Sequence, residues 1–351
     1  MSTDEKYMWR CLQLAKKGLG KTKNNPLVGC VIVHNDSIIG EGYHRVMGES
    51  HAEVNAINSV KDTSLLKEST LYVSLEPCSH QGKTPPCAAL IVKKEIARVV
   101  IAVKDPNQKV AGRGIQIIKD AGIKVKLGVL EEEAKSVNQS FFVNQIAKRP
   151  YVLLKWAQTK DGFIDNERQN LDLPPLKLSN SITQSVVHKL RSQNMGIMVG
   201  TNTALKDNPT LSTRKWFGDN PIRIVIDRTG KIPTNSLLFN GQAPTLVFTE
   251  LNSYYSSENV TSHTINFDGE VINQILDKLF ELNITTIMVE GGEILISSFI
   301  EKNIWDEAFV EIADIKIGCG IIAPSVSGSF INAKSYIDSL HFHIKNEITR
   351  N

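Results

Sequence analysis

The chain has 351 residues and a formal net charge of +3, from 40 Lys and Arg against 37 Asp and Glu. Single domains mostly hold about 100–200 residues, so this length predicts two domains. A content of 41% hydrophobic and 22% charged residues excludes a disordered chain. The nearly balanced charge gives no reason to expect a nucleic-acid partner. Since no apolar run is long enough for a membrane span and the first residues are polar, we expect a cytoplasmic protein without membrane contact.

The first 147 residues alternate between helical and strand periodicity. Helices are predicted at 5–18, 51–60, 86–95, 114–121 and 131–147, and strands at 27–33, 38–44, 70–75, 99–103 and 123–127. This alternation predicts a sheet with helices packed against it, which is an α/β layered domain.

Pro150 marks the boundary between the two predicted domains, because the residue before a proline is pushed out of helical geometry. We therefore divide the chain into domains 1–147 and 148–351. A second α/β pattern follows the boundary, with a loop or flap at 165–178. Strands are predicted at 151–157, 196–200, 222–226, 244–248, 285–289 and 307–313, and helices at 180–192, 269–282 and 293–302.

One histidine and two cysteines, His51, Cys78 and Cys87, can supply three ligands for tetrahedral Zn²⁺. A fourth position then stays open for water, as in catalytic and not in structural zinc sites. Glu53 follows His51 closely enough to move protons between that water and a leaving amine. His-x-Glu followed by Pro-Cys and a second cysteine is the pattern of zinc deaminases. Here eight residues separate the two cysteines, in place of the usual two.

Simpler interpretations exist for each of these residues. Ser50 and Glu53 also fit a helix capping box, which needs no catalysis. A single histidine at a helix start, or a single Pro-Cys, is common in proteins without a metal. We favour the zinc site because all the residue types occur together and in the right order. The other cysteines, Cys11, Cys30 and Cys319, are interpreted as two buried small side chains and a loop thiol.

A Gly-Gly pair, Gly291 and Gly292, follows a predicted strand in the second domain. Glycines let the backbone approach a ligand, and a helix starting near Glu293 would present free N–H groups to a phosphate. The alternative is a tight turn without a ligand, and Glu293 would add negative charge beside a pyrophosphate. The segment Gly112-Arg113-Gly114 lacks the third glycine of a dinucleotide fingerprint, so we interpret it as a loop entering a helix.

Several segments together resemble the family of bifunctional riboflavin-pathway deaminase/reductases. In the first domain these are Asn25–Val33, His51–Ala56, Thr70–His80, Gly82–Cys87, Asp105–Asn107 and Val110–Gly114. In the second domain they are Lys155, Asp161-Gly162, Thr203 to Pro209, Leu211 to Arg214, Pro221–Asp227 and Glu290–Gly292. The eight-residue gap before Cys87 is typical of that family. The resemblance covers nearly the whole chain.

The resemblance implies a cytidine-deaminase-like three-layer αβα domain followed by a dihydrofolate-reductase-like α/β domain. The first domain would bind one zinc ion through His51, Cys78 and Cys87, with Glu53 as proton donor. It would deaminate 2,5-diamino-6-(5-phosphoribosylamino)pyrimidin-4-one and release ammonia. The second domain would use NADPH to reduce the ribosyl side chain of 5-amino-6-(5-phosphoribosylamino)uracil to ribityl. Both substrates are phosphoribosylaminopyrimidines, and the family resemblance also implies a homo-oligomer.

The resemblance also implies the residues that contact each ligand of the second domain. NADPH would lie against Ala157, Thr203, Asp207, Gly292, Glu293, Ile294, Leu295, Ile296, Ser297 and Ser298. The substrate would contact Arg191, Leu211, Arg214 and Glu290. The two arginines suit a ribose 5-phosphate, because a guanidinium fork matches phosphate oxygens.

Three positions depart from the pattern of the family. Lys177 stands in place of a tryptophan, Arg228 in place of a serine that contacts the cofactor, and Glu293 in place of an uncharged residue. These three departures concern the residues expected to bind the nucleotide in the second domain. The proton donor of the reduction stays open, with Lys155 and Asp161 as candidates beside Asp207.

The sequence leaves other hypotheses open for the function of the protein. The main alternative is a zinc deaminase of a small pyrimidine or purine whose C-terminal domain is not an active reductase. A nucleic-acid base deaminase would need a basic, aromatic-rich face, which 7% aromatic residues and a charge of +3 do not favour. A structural zinc protein would normally close the fourth ligand position.

Overall fold

The computed structural model describes residues 1–79, 85–107, 111–168 and 173–347. The chain divides into two compact units, Met1–Lys148 and Arg149–Asn351. No helix in these ranges has the length and apolar character needed to cross a membrane.

The first unit is built on a five-stranded sheet in the order β2-β1-β3-β4-β5. Its strands are β1 Gly29–His34, β2 Ser37–Tyr43, β3 Thr70–Val73, β4 Arg98–Ile101 and β5 Lys124–Leu127. Its helices are α1 Thr3–Ala15, α2 Ala52–Ser59, α3 Cys87–Lys93, α4 Arg113–Asp120, α5 Glu131–Val137 and α6 Gln139–Ala147. Strand β1 runs antiparallel to β2 and β3, whereas β3, β4 and β5 are parallel.

Helices cover both faces of this sheet. Cys30 and Ile32 of β1 pack with α2, α3 and α4, whereas Val31 and Val33 of the same strand pack with α1 and α5. Successive side chains of a strand point to opposite faces, so one apolar run can fill two cores. This three-layer αβα arrangement confirms the α/β layered domain predicted from the sequence.

The predicted helix 131–147 is in fact two helices, α5 and α6, which meet at Asn138. The Asn138 side chain is 1% exposed and pairs with the backbone of Leu27, accepting its N–H at 2.7 Å and donating to its C=O at 2.8 Å. Asn138 has φ −106° and ψ 21°, outside helical geometry. The contact spans 111 residues of sequence, so local periodicity could not show it.

Helix α1 is fixed to the sheet by the buried carboxylate of Asp4. Arg98 donates to both of its oxygens at 2.8 and 2.9 Å, and Lys126 and the Tyr72 hydroxyl complete the cluster. The hydrogen bonds from Arg98 and then those from Lys126 and Tyr72 outweigh burial, so the pKa of Asp4 lies far below its usual range. One acidic side chain thus joins α1 to β3, β4 and β5.

The second unit has a nine-stranded sheet in the order β11-β10-β9-β8-β12-β6-β13-β16-β15, beside a two-stranded sheet of β7 and β14. Its strands are β6 Tyr151–Thr159, β7 Phe163–Asp165, β8 Gly196–Val199, β9 Ile222–Ile226, β10 Thr245–Thr249, β11 Val260–Thr264, β12 Thr286–Glu290, β13 Glu307–Ala313, β14 Ile321–Ile322, β15 Ser329–Tyr336 and β16 Ser339–Lys345. Its helices are α7 Ser181–Gln193, α8 Thr201–Asp207, α9 Val271–Glu281 and α10 Glu293–Glu301. The seven strands from β11 to β13 are all parallel to their neighbours, and β16 and β15 pair antiparallel at one edge.

This sheet also carries an apolar cluster on each face. One cluster includes Val152 and Leu154 with helices α9 and α10, and the other includes Leu153 with α8. Short helix α8 and strands β7, β11, β14, β15 and β16 were not predicted. Strand β15 has almost only exposed residues, so its backbone pairing with β16 leaves no apolar alternation in the sequence. Of the predicted flap 165–178, residues 169–172 lie outside the described ranges, and 173–178 form no helix or strand.

Substituting Asp4→Asn should lower the free energy of unfolding of the first unit by about 1–3 kcal/mol near neutral pH, because charge-assisted hydrogen bonds are lost. The folded pKa is depressed, so the contribution is complete above the unfolded pKa of about 3.9 and is lost as the pH falls below it. The free energies of unfolding of the parent and of Asp4→Asn, measured by denaturant titration between pH 7 and pH 3, should therefore approach each other as the pH falls. Glu132→Gln, at a side chain 83% exposed, is the control and should change little; a constant difference at every pH would contradict the prediction.

Candidate functional site

The structure brings His51, Cys78 and Cys87 together from three different segments. His51 is the N-cap of α2, Cys78 lies in the segment after β3, and Cys87 is the first residue of α3. Their ligand atoms all lie within 4.8 Å of one another, with His51 Nδ1 3.5 Å from Cys78 Sγ and 3.3 Å from Cys87 Sγ. One imidazole and two thiolates at this spacing fit zinc and leave a fourth position open. Residues 80–84 of the loop between the cysteines, including His80, lie outside the described ranges.

The environment of the two thiols favours a negative charge on Cys78. Cys87 donates to Cys78 through its side chain, and its backbone N–H lies 3.3 Å from Cys78 Sγ. Together with His51, these contacts lower the pKa of Cys78 to about 4, and the same sharing of a proton raises the pKa of Cys87. Thiolate, not thiol, is the metal-binding form.

Glu53 is 3% exposed on α2. The capping-box interpretation of Ser50 and Glu53 is wrong, because His51 is the N-cap and no side chain caps this helix. Burial raises the pKa of Glu53 to about 7. A carboxyl group that titrates near neutral pH can both accept and donate a proton, as a general acid–base residue must.

His44 is a neighbour of the metal ligands that the sequence analysis missed. Its ring lies edge-on to that of His51 at 5.6 Å, and it is 3% exposed. His44 Nε2 lies 3.0 Å from Asn25 Nδ2, and its Nδ1 lies 3.2 Å from the carbonyl oxygen of Ser50. Burial lowers its pKa, so the ring is neutral at physiological pH. Asn25 begins one of the segments quoted above, but nothing in the sequence pairs it with a histidine at the end of β2.

The second unit contains a cavity of about 950 Å³. It lies where the parallel strands β6, β8, β9 and β12 end, which is where open α/β sheets bind ligands. Twelve of the residues expected there from sequence line it: Ala157, Thr203, Asp207, Gly292, Glu293, Ile294, Leu295, Ile296, Ser298, Arg191, Arg214 and Glu290. Ser297 and Leu211 are not among the lining residues, and the Leu211 side chain lies in the apolar core with φ +50°.

Three side chains form a charged cluster on one wall of the cavity. Arg191 donates to Glu290 through Nε at 2.9 Å and Nη2 at 2.8 Å, and Lys155 Nζ lies 3.9 Å from the same carboxylate. Burial would raise the pKa of Glu290, but Arg191 and Lys155 reverse this and lower it. A third Arg191 hydrogen bond, to the carbonyl oxygen of Ser212 at 3.0 Å, fixes the guanidinium plane.

The Gly291-Gly292 turn connects β12 to α10 with positive φ angles of 84° and 80°. A Cβ atom at Gly292 would lie 3.1 Å from Thr203 Oγ1, and one at Gly291 would lie 3.3 Å from Thr203 Cγ2. Both positions therefore favour glycine by their backbone conformation, and a Cβ at either would also displace the Thr203 side chain. The turn leaves the first backbone N–H groups of α10 beside the cavity.

Of the three departures from the family pattern, two lie at the cavity. Lys177 and Glu293 line it, and Glu293 accepts a hydrogen bond from Ser297 at 2.8 Å. Arg228 instead pairs with Glu250 at 2.7 Å, has a side chain 52% exposed and is not among the lining residues. The nucleotide-facing role considered for Arg228 is thus replaced by a surface ion pair.

The candidate proton donors of the reduction differ in whether they line the cavity. Lys155 and Asp207 line the cavity, and Asp207 is paired with Arg168. Asp161 instead accepts backbone N–H groups from residues 317 and 318 and is not among the lining residues. His188, which the sequence analysis missed, also lines the cavity; burial, followed by Arg191, lowers its pKa to about 4.

Two family models match the chain, one in each unit. Residues 1–103 match the cytidine and deoxycytidylate deaminase zinc-binding region, and residues 150–344 match the RibD C-terminal domain. With the His-Cys-Cys group and the cavity, these matches define a zinc-dependent deaminase joined to an NADPH-dependent reductase.

Relatives match both units together. The riboflavin biosynthesis protein RibD of Aquifex aeolicus is 38% identical over 91% of this chain and 89% of its own length, and that of Bacillus amyloliquefaciens is 38% identical over 97% and 92%. A Thermotoga maritima crystal structure, of a diaminohydroxyphosphoribosylaminopyrimidine deaminase/5-amino-6-(5-phosphoribosylamino)uracil reductase, has 34% identity and a TM-score of 0.88 over 98% of this chain and 99% of that one. Acinetobacter baumannii RibD has 30% identity and a TM-score of 0.86 over 98% of each chain. The chain belongs to the RibD family of riboflavin biosynthesis proteins, the bifunctional deaminase/reductases.

Proposed function

We propose that the two units catalyse consecutive steps on phosphoribosylaminopyrimidines. The first unit deaminates 2,5-diamino-6-(5-phosphoribosylamino)pyrimidin-4-one, and the second reduces the ribosyl side chain of the uracil product to ribityl. The observation that carries this proposal is the buried Glu53 beside a three-ligand metal group, in a chain whose other unit holds a cavity lined by Arg191, Arg214 and Glu290. The substrates are those named for the Thermotoga maritima relative.

In the deaminase unit, His51, Cys78 and Cys87 would hold zinc, which would supply Lewis-acid activation of water. The Glu53 carboxyl group would accept a proton from the attacking water and donate it to the leaving amine. Its raised pKa of about 7 suits both transfers, since either form of the carboxyl group is accessible near neutral pH. His44 packs against His51 and limits its orientation.

In the reductase unit, the glycine turn and the start of α10 would hold NADPH together with Ala157, Thr203 and Asp207, and the cofactor would supply the hydride. The Thr203 side chain lies beside the glycine turn. The substrate would contact Arg191, Arg214 and Glu290, and the guanidinium groups would suit its phosphate. Leu211 can reach the substrate only through its backbone, because its side chain lies in the core. Lys155 and Asp207 stay the candidates for the proton donor; both line the cavity, and each is held in an ion pair, Lys155 with Glu290 and Asp207 with Arg168.

The cytoplasmic location and the homo-oligomer stay predictions. We propose that the oligomer interface lies at the edge of the nine-stranded sheet. Strand β15 lies at that edge and exposes Phe330 and Ile331, and Leu340 of β16 is exposed beside it. An apolar edge strand favours pairing with a second copy of the chain.

Glu53→Gln should retain zinc and lose ammonia release by about 10²–10⁴-fold in kcat, because the amide cannot transfer the proton. Metal analysis and an ammonia-release assay measure the two properties on one sample. NADPH oxidation with the deaminated substrate should stay normal in the same sample. Glu68→Gln, at a side chain 80% exposed, is the control. Full deaminase activity in Glu53→Gln would refute the role of this carboxylate.

Arg214→Ala should raise the KM for the reductase substrate by about 10- to 100-fold, because a charge-assisted contact to phosphate is lost. Within the described residues Arg214 donates to Thr210 and Ser212 hydroxyls and pairs with no carboxylate. Steady-state NADPH oxidation measures both constants, and the KM for NADPH should not change. Lys189→Ala is the control, because it removes a nearby cation that lies over Trp216 and does not line the cavity. An equal rise in the KM for the reductase substrate in Lys189→Ala would show that the effect comes from the loss of positive charge in general.

Gly292→Ala should raise the KM for NADPH by about tenfold, because φ +80° with ψ 107° is strained by about 1–3 kcal/mol for any residue with a Cβ. Gly241→Ala is the matched control, since it has φ +75° but lies away from the cavity. Deaminase activity should be unchanged in both variants. An unaltered KM for NADPH in Gly292→Ala would show that the cofactor does not depend on this turn.

A further inference from the structure

Glu76 is a buried carboxylate two residues before the metal ligand Cys78 and is 4% exposed. Four backbone N–H groups donate to it. Its Oε2 accepts from Asp105 at 3.2 Å and Gly112 at 2.9 Å, and its Oε1 accepts from Gly114 at 3.0 Å and Ile115 at 3.3 Å. All four donors lie at least 29 residues further along the chain, so these bonds tie distant segments to the approach to Cys78.

Glu76 takes the place of a missing helix cap. The N-cap of α4 is Gly112, which has φ +81° and no side chain to accept the first free N–H groups of the helix. A carboxylate at a helix N-terminus both accepts these hydrogen bonds and interacts favourably with the helix dipole. The cap of α4 is thus supplied by the segment that carries a metal ligand.

The close contact between the start of α4 and the Glu76–Cys78 segment also bears on the Gly112-Arg113-Gly114 motif. This motif lacks the third glycine of a dinucleotide fingerprint and is interpreted as a loop entering a helix. A Cβ atom at Gly114 would lie 1.9 Å from the carbonyl oxygen of Pro77. No side chain can be placed at that distance, so the first turn of α4 lies directly on the peptide between Pro77 and Cys78. Gly114 is therefore required by the contact with the Glu76–Cys78 segment, whereas Gly112 meets the positive φ of the turn and donates its N–H to Glu76.

Glu76 also joins the end of β4 to the same segment. Its backbone N–H donates to the carbonyl oxygen of Val103 at 3.0 Å, while its carboxylate accepts from Asp105. The Asp105 side chain in turn accepts from the N–H of Asn107 at 2.8 Å. The Glu76 residue is consequently the meeting point of the ends of β3 and β4 and the start of α4.

We propose that Glu76 is a positioning residue of the deaminase centre, which holds Cys78 in line with His51 and Cys87. Its carboxylate oxygens accept the four backbone N–H groups, so it acts on Cys78 through the backbone of Pro77. The inference rests on the proposed deaminase function of the first unit. A carboxylate is required because both oxygens accept two N–H groups each, whereas glutamine would offer one oxygen and turn its NH₂ group toward two donors.

The test compares Glu76→Gln, Glu76→Asp and the control Glu41→Gln. Glu41 is a carboxylate of the same unit that binds Arg10 on two atoms at 2.6 and 2.8 Å, away from the metal group. In the full-length protein, Glu76→Gln should lose zinc to a chelating dye about 10- to 100-fold faster, as expected when the support of a ligand is removed. Its deaminase kcat should fall by at least about tenfold with a smaller change in KM.

Glu76→Asp keeps two acceptor oxygens on a shorter side chain and should restore part of both properties. Glu41→Gln should match the parent in zinc release even if its thermal unfolding temperature falls. NADPH oxidation by the second unit serves as the internal control for all three variants. Zinc release and deaminase kcat in Glu76→Gln within twofold of the parent would overturn the proposal, as would equal effects in Glu41→Gln.

Hydrogen–deuterium exchange on the unmodified protein keeps the proposal testable if Glu76→Gln does not fold. The amides of Asp105, Gly112, Gly114 and Ile115 should be protected to the same degree as those of β3. Exchange as fast as in an exposed loop would overturn the proposal. Absence of deaminase activity in the unmodified protein would refute the proposed function instead, while zinc release and exchange would still measure the role of Glu76.

Discussion

The main constraint on both units is that helices and loops cover the two faces of the parallel strands in each sheet. Alternating side chains of one strand fill separate apolar cores, so apolar packing fills most of both faces of these strands. The ends of the strands remain open to polar groups. Cys78 follows the end of β3, and the Gly291-Gly292 turn follows the end of β12. The metal group and the cavity therefore occupy the same kind of position in two different sheets.

Strand ends also expose backbone N–H groups that must find acceptors, and buried acidic side chains meet this need. Asp306 is fully buried and accepts from Val152 N–H and from two nitrogens of Arg149. Asp227, equally buried, accepts the N–H groups of residues 231 and 232 and the Tyr254 hydroxyl. Asp306 joins segments more than 150 residues apart, whereas Asp227 closes the loop that follows its own strand and ties it to Tyr254.

The metal group could be predicted from sequence because its chemistry is concentrated in few residue types with a fixed order. His51 and Glu53 lie together, and each cysteine follows a proline, so local pattern was sufficient. The wall of the cavity offers no such pattern: Arg191 and Glu290 are 99 residues apart and meet only after the sheet has formed. Family resemblance, and not spacing, identified each of the two as a substrate contact, and only the structure shows that they pair with each other.

The strands and helices also divide into those that local sequence predicts and those that depend on distant contacts. Strands such as β1, with an uninterrupted apolar run, were visible in the sequence, because burial on both faces determines their composition. Strand β15 was not visible, since its residues face solvent and only its pairing with β16 defines it. The break at Asn138 depends on a contact with Leu27, and no window of local sequence contains both residues.

Two glutamates show how the surroundings of a side chain, and not its type, determine its chemistry. Glu53 is 3% exposed and has no cationic partner strong enough to offset burial, so its pKa rises to about 7. The Glu290 side chain is 16% exposed, and Arg191 and Lys155 outweigh the effect of burial and lower its pKa. The first carboxyl group is therefore able to exchange a proton near neutral pH, as hydrolysis of an amine requires. The second stays charged and holds two cations, Arg191 and Lys155, on one wall of the cavity.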